Sequence, residues 1–134
     1  MMREYKEGDV FKVETNEFSI VPDLSALESP IIEKYTQESN GKITAIVAIH
    51  EYWKDCYETG FILGKELNLS EIKELETFAE NAIITRKPTR VQTSSIDCPV
   101  INRWMEFMGF ECEGIKRKFM FRKDYKMWSR INGD

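Results

Sequence analysis

The chain has three cysteines, one histidine and no long apolar run, and each scarcity removes a class of function. Cys56, Cys98 and Cys112 lie far apart, and an odd, sparse set argues against a disulfide scaffold and fits a reducing compartment. No two cysteines form a C-x-x-C pair, and adding the lone His50 does not complete a closed zinc site, so no metal is expected. Three small thiols, buried or half-buried, are the expectation instead. No apolar stretch approaches the roughly 20 residues that a membrane-spanning helix requires, so no membrane association is expected. The first residues, Met1-Met2-Arg3-Glu4-Tyr5-Lys6-Glu7, are too polar for a secretion signal, which points to a cytoplasmic protein. Repeats, low-complexity tracts and linkers are also missing, so the 134 residues are expected to form a single domain over 1–134.

What is present is an ordinary globular balance, 42% hydrophobic and 31% charged, with an uneven charge distribution. The net charge is −4, yet residues 115–134 hold seven basic side chains and two acids, leaving −9 on the rest. The molecule is dipolar, with a basic C-terminal element.

The pattern along the chain alternates strands and helices. Residues 3–13 read as a short strand running into a short helix, and 18–30, with two prolines, as irregular with a possible turn of helix. A hairpin follows, with strands at 31–38 and 43–52. Its Asn40-Gly41 turn supplies the positive φ angles of a type I′ connection. Both faces of "ITAIVAIH" are largely apolar, which predicts a central strand covered on both sides. A strand at 56–63 leads to a helix at 68–83 with Leu69, Ile72, Leu75, Ala79, Ala82 and Ile83 on its packing face. A short strand at 90–93 precedes a second helix that opens at Asp97-Cys98-Pro99, with proline in the favoured first turn. Val100, Ile101, Trp104 and Met108 form that helix's expected buried stripe, and Gly109 its left-handed stop. Strands at 110–120 and 125–131 close the chain. The fold class is α/β (α+β), a mixed central β-sheet with helices on both faces.

The turn in "GFILGKELNLSEIKE" raises the functional question. A helix N-terminus entered from a strand offers free N–H groups and a positive dipole end, a common place to hold phosphate. Here Asn68 with Glu71 three residues later fits an N-cap and capping box that would consume those donors. Glu66, Glu71 and Glu74 add negative charge, offset by Lys65 and Lys73. A capped helix start is the favoured reading of the residues themselves.

From Val100 onward the chain resembles the GNAT superfamily, the GCN5-related N-acetyltransferases. The matching residues are Trp104-Met105-Glu106-Phe107-Met108-Gly109-Phe110, then Glu113-Gly114 and Tyr125-Lys126-Met127, and the upstream order of elements agrees. More narrowly, the chain looks like short GNAT-like proteins of tailed phages. The resemblance implies an acyl-CoA-dependent N-acetyltransferase with acetyl-CoA as cofactor. It also implies a pyrophosphate cradle between strand and helix, a split between two parallel strands for the pantetheine arm, and proton-transfer groups. On that basis Ile62, Leu63, Gly64, Lys65, Asn68 and Ser94 are the cofactor-binding candidates, and Glu58, then His50, the candidate general bases. Three departures stand out. The cradle pattern R/Q-x-x-G-x-G/A is reduced to Gly64. Met105 occupies the position where many members carry an acid tyrosine, and cannot donate a proton. Cys98 stands where an asparagine is frequent. For each residue there is also a purely structural role: Gly109 as a helix stop, Phe110 as a core anchor, Glu58 as a solvated face, His50 as a strand end.

The alternative reading keeps the fold as a non-enzymatic virion or host-interaction scaffold, located in the host cytoplasm or the virion. A third uses the basic C-terminal strands. Cations interleaved with Phe119, Phe121, Tyr125 and Trp128 suit single-stranded nucleic acid. The same alternation also fits edge-side strands with aromatics inward and Lys/Arg outward; the acidic balance of the chain weighs against nucleic acid, and an acidic protein partner is an equal alternative there.

Overall fold

The computed structural model describes residues 1–19 and 27–132, so most of the irregular stretch at 18–30 lies outside the described residues. Seven strands form one mixed sheet: β1 (Met2–Glu4), β2 (Glu33–Ser39), β3 (Lys42–Trp53), β4 (Cys56–Leu63), β5 (Arg90–Ile96), β6 (Glu111–Met120) and β7 (Lys123–Ile131). Their order is β1-β2-β3-β4-β5-β7-β6. Among the described residues two α-helices accompany them, α1 (Leu69–Arg86) and α2 (Pro99–Phe107). Among the described residues, no helix is long and apolar enough to cross a membrane. The chain divides into two compact units, Met1–His50 with Gly60–Arg86, and Glu51–Thr59 with Lys87–Asp134.

In the first unit the hairpin forms as its turn dictates: Asn40 and Gly41 sit at φ 52° and 76°, and β2 pairs with β3 from Glu33↔Ile49 to Ser39↔Lys42. Ala45, Val47 and Ile49 on one face of β3 and Ile46 on the other are all buried, so this strand is covered on both sides as its composition requires. Val10, Val13, Ile46 and Ile62 make one core cluster, with Tyr5, Leu27 and Ile43 packed against it. Helix α1 buries Leu75, Ala79 and Ile83. Leu69, expected on that stripe, is 67% exposed. The ring of Tyr35 on β2 meets Phe78 of α1 edge-on at 4.8 Å.

A carboxylate that no sequence pattern singled out organises the start of this unit. Asp9 is 1% exposed and accepts hydrogen bonds from both guanidinium N–H₂ groups of Arg3, the Lys6 amide and the Thr36 hydroxyl. Arg3 Nε donates onward to Glu38 on β2 at 2.6 Å. These bonds tie β1 and the 3-10 turn at Asp9–Lys12 to β2.

In the second unit β5 runs to Ile96, three residues beyond the expected end, because it pairs with β7 along its whole length, from Arg90↔Ile131 to Ile96↔Tyr125. Pro99 occupies the first turn of α2 after the extended Cys98. Gly109 ends the helix at φ 87°, with Gly109 N–H donating to the Glu106 carbonyl and Phe110 N–H to that of Met105, a Schellman stop. The buried stripe of α2 is Ile101 and Met105 rather than the expected Val100, Ile101, Trp104 and Met108. Val100 is exposed and Trp104 and Met108 are half-buried, so the helix is rotated from the expected stripe. Tyr125 and Trp128 of β7 point into the core, but Phe119 and Phe121 are exposed, which corrects the expectation of aromatics inward. The cause is a register shift between Lys116 and Met120, with Lys118, Phe121 and Arg122 all at positive φ. Cys112 is likewise exposed rather than half-buried, whereas Cys56 and Cys98 are half-buried.

Candidate functional site

The strand-to-helix turn is built within the first unit from β4's end, residues 64–68 and the start of α1. Gly64 N–H donates to the Thr44 carbonyl of β3 at 2.8 Å. A Cβ added at Gly64 would lie 2.6 Å from that carbonyl oxygen. The glycine therefore permits the close approach of two backbones.

On the other side of the turn the chain supplies its own partner. Gly64 forms an isolated antiparallel bridge with Thr15. Asn16 N–H donates to the Leu63 carbonyl at 2.9 Å, and Lys65 N–H to the Glu14 carbonyl at 2.8 Å. Leu63 N–H donates to the buried Ser19 hydroxyl at 3.0 Å. The helix start is also capped. Glu71 N–H donates to Asn68 Oδ1 at 2.8 Å, and Asn68 N–H to Glu71 Oε1 at 3.0 Å, the reciprocal capping box. The amides of Leu63, Gly64, Lys65, Asn68 and Glu71 are thus all engaged by the protein itself.

Beside the turn lies an open cleft of about 340 Å³, lined by Arg3, Lys12, Glu14, Lys42, Thr44, Lys65 and their neighbours. Arg3 is committed to Asp9 and Glu38, and Lys42 stands 3.9 Å from Glu66. Among the described residues, Lys12 and Lys65 have no ion-pair partner. Tested against a pyrophosphate, the turn offers the side-chain cations of Lys12 and Lys65, while its amides at Leu63, Gly64, Lys65, Asn68 and Glu71 are already used by the protein.

The candidate residues fall into two groups. His50, Ile62, Leu63, Gly64, Lys65 and Asn68 belong to the first unit, with Ile62, Leu63 and Gly64 buried, His50 half-buried, and Lys65 and Asn68 exposed. Glu58 and Ser94 belong to the second, and both are exposed. Glu58 is the last registered partner in the parallel β4–β5 ladder, which runs Cys56↔Arg90, Tyr57↔Val91, Glu58↔Gln92. Gln92 Oε1 accepts from Tyr52 Oη at 3.0 Å and from Arg90 Nε at 3.1 Å. Arg90 in turn grips Glu113 through both terminal nitrogens. Of the hydroxyl run at 93–95, Ser95 is engaged, accepting from Trp128 Nε1 at 2.9 Å. Met105, at the acid-tyrosine position, is 3% exposed and part of the core.

The Arg90 guanidinium, aided by the Ser129 hydroxyl, holds the Glu113 carboxyl down from its ordinary 4.5 to about 2. A carboxyl depressed in the folded state contributes stability above its unfolded pKa and loses it as pH falls through the folded value. The stability gap between wild type and Glu113→Gln should therefore be full above pH 4.5 and shrink toward pH 2. Both side chains are partly solvated, so that gap is small, about 1 kcal/mol or less by chemical denaturation.

No family model matches the chain, and no curated protein matches it. Solved structures do. The ribosomal-protein-S18-alanine N-acetyltransferase of Escherichia coli superposes with a TM-score of 0.81 at 11% identity, over 100% of this chain and 94% of its own. Ard1 of Thermoplasma volcanium gives 0.79 at 13% identity, over 100% and 98%. An acetyltransferase of the GNAT family from Streptococcus pneumoniae gives 0.68 at 18%, over 99% of each chain. At these identities the likeness shows the fold: a mixed seven-stranded sheet with two helices, arranged as in GNAT acetyltransferases.

Proposed function

We propose that the protein is an acyl-CoA-dependent N-acetyltransferase of GNAT fold with a degenerate pyrophosphate loop. The observation that carries this reading is the likeness of the fold to acetyltransferases over essentially the full length of the chain. Acetyl-CoA would supply the activated acetyl group when bound. Ile62, Leu63, Gly64, Lys65 and Asn68 are the residues proposed to line it at the turn, with Ser94 on β5. Lys65 and Lys12 would meet phosphate charge by side chain, in place of the missing glycine amides. Glu58 is the proposed base for the acceptor amine, since an exposed strand carboxylate is open to an incoming amine, and His50 is the second candidate. The protein would act as one domain, in the cytoplasm.

The test is calorimetric titration with acetyl-CoA, followed by acetyl transfer to a panel of amines. Binding of acetyl-CoA, with transfer lost in Glu58→Gln at unchanged cofactor affinity, is the expected result. An unchanged rate in that variant removes Glu58 as base, and no heat at millimolar acetyl-CoA removes the enzyme reading.

A second reading is favoured by a specific observation: the amides of Leu63, Gly64, Lys65, Asn68 and Glu71 are already engaged, and the acid-tyrosine position holds a core methionine. On this reading the fold is a non-enzymatic scaffold, a virion or host-interaction module of the kind found in tailed phages. Its partner surface would be the basic β6–β7 hairpin, where Arg117, Lys118, Phe119, Phe121 and Arg122 are exposed. Oligonucleotide binding at low salt that weakens in Lys116→Ala and Arg122→Ala would make nucleic acid the partner; its absence leaves an acidic protein.

A further inference from the structure

We infer that residues 14–19 form a strap that closes the strand-to-helix turn, and that acyl-CoA reaches the turn only when the strap lets go. The inference rests on the acyl-CoA reading above and adds the conformational step that the reading requires.

The turn has two neighbours of very different strength. On one side Gly64 is locked to Thr44 inside the sheet, with backbone contact too close to admit even a methyl group. On the other side the partner is an isolated bridge with no ladder on either flank. Three hydrogen bonds hold it: Asn16 N–H to Leu63, Lys65 N–H to Glu14, and Leu63 N–H to Ser19 Oγ. Glu14 and Glu17 are exposed, and Thr15 and Asn16 are only half-buried, so apolar burial does little to hold the bridge itself.

The strap carries its own internal order. Asn16 Oδ1 accepts from Phe18 N–H at 2.9 Å, and the Asn16 carbonyl accepts from Ser19 N–H at 3.2 Å. The segment is thus a compact turn docked on β4 between two buried residues, Val13 and Ser19. A turn that satisfies its Phe18 and Ser19 amides internally can swing from Val13 with those two donors still paired.

The groups it covers are those an extended anionic ligand needs at this place. The Leu63 amide and carbonyl and the Lys65 amide are the backbone groups that β4 presents on the side away from β3, where they lead into the helix start. Glu14 also brings a carboxylate to the cleft in which Lys12 and Lys65 would meet phosphate. Closing the strap therefore removes hydrogen-bond donors and adds repulsive charge in one movement. A ligand that binds only the open form has its apparent affinity lowered by the open fraction, so weakening the strap must tighten binding.

The experiment compares acetyl-CoA titration of wild type, Ser19→Ala and Asn16→Pro, with thermal unfolding of each free protein. Ser19→Ala removes the acceptor for Leu63 N–H, and Asn16→Pro removes the donor to the Leu63 carbonyl. Each lost bond should tighten acetyl-CoA binding roughly two- to ten-fold. Hydrogen exchange should also quicken at residues 14–19 when wild type is saturated with acetyl-CoA. Ser19→Ala, a side-chain change, carries the test if Asn16→Pro does not fold. Equal affinity in wild type and a folded variant overturns the strap and leaves the acyl-CoA reading standing. No binding by any of the three overturns both.

Discussion

Replacing Asp9 with alanine is expected to destabilise the protein by about 3–5 kcal/mol, the cost of breaking a buried ion pair from one side. The carboxylate is 1% exposed and has four protein donors, two of them on Arg3. Its loss strands the Thr36 hydroxyl and the Lys6 amide and leaves Arg3 with the Glu38 carboxylate and the Glu4 carbonyl. Asp9→Asn keeps the shape and loses the charge, so it should fall between wild type and alanine. Burial by itself pushes the Asp9 carboxyl up. The hydrogen bonds from Arg3, Lys6 and Thr36 outweigh it and hold the group below its ordinary 3.8. A depressed carboxyl stabilises above its unfolded pKa, so Asp9's contribution should be complete above about pH 4 and fade as acid protonates the folded state. Urea unfolding of wild type and Asp9→Ala at pH 7 and pH 3 measures both effects. A difference below 1 kcal/mol at pH 7 would mean that Arg3 and Asp9 are not coupled in solution.

Gly64→Ala carries the second large effect. The new methyl group would have to displace the Thr44 carbonyl from 2.6 Å, and backbone inside a sheet yields little. The expected cost is about 1–3 kcal/mol, as for overpacking elsewhere. The substitution also decides between two meanings of this glycine. If Gly64 exists for the Thr44 contact, alanine lowers stability whether or not cofactor is present. If it exists to admit a phosphate, alanine leaves the free protein's unfolding midpoint unchanged and weakens only acetyl-CoA binding. Denaturant titration with and without acetyl-CoA separates the two.

Local chemistry made much of this fold readable. Asn40-Gly41, Pro99 and Gly109 each fix a backbone conformation by their own covalent structure, and all three appear where the sequence places them. The capping box was legible because its two partners are three residues apart. What escaped depends on distant residues. Nothing in "GDVFK" announces that Asp9 will meet Thr36, 27 residues away. The α2 stripe was misjudged because Val100, Trp104 and Met108 are as apolar as Ile101 and Met105, so hydropathy alone does not fix the rotation of a nine-residue helix. The role of Gly64 needed the position of Thr44 on β3, and the strap needed residues 14–19, which carry no periodicity. Glu58 and Ser94 rest on the family resemblance, and both are exposed.

Whether the chain itself closes the strand-to-helix turn decides how a ligand reaches it. Residue-resolved hydrogen exchange of the free protein tests this most directly, at the amides of Leu63, Lys65, Asn68 and Glu71. The predicted result is protection at all four, with Leu63 and Lys65 opening together at lower free energy than Gly64, which is held from β3. Exchange of Leu63 and Lys65 at the rate of an unprotected peptide, with Gly64 still protected, would contradict it and leave the turn open for a ligand.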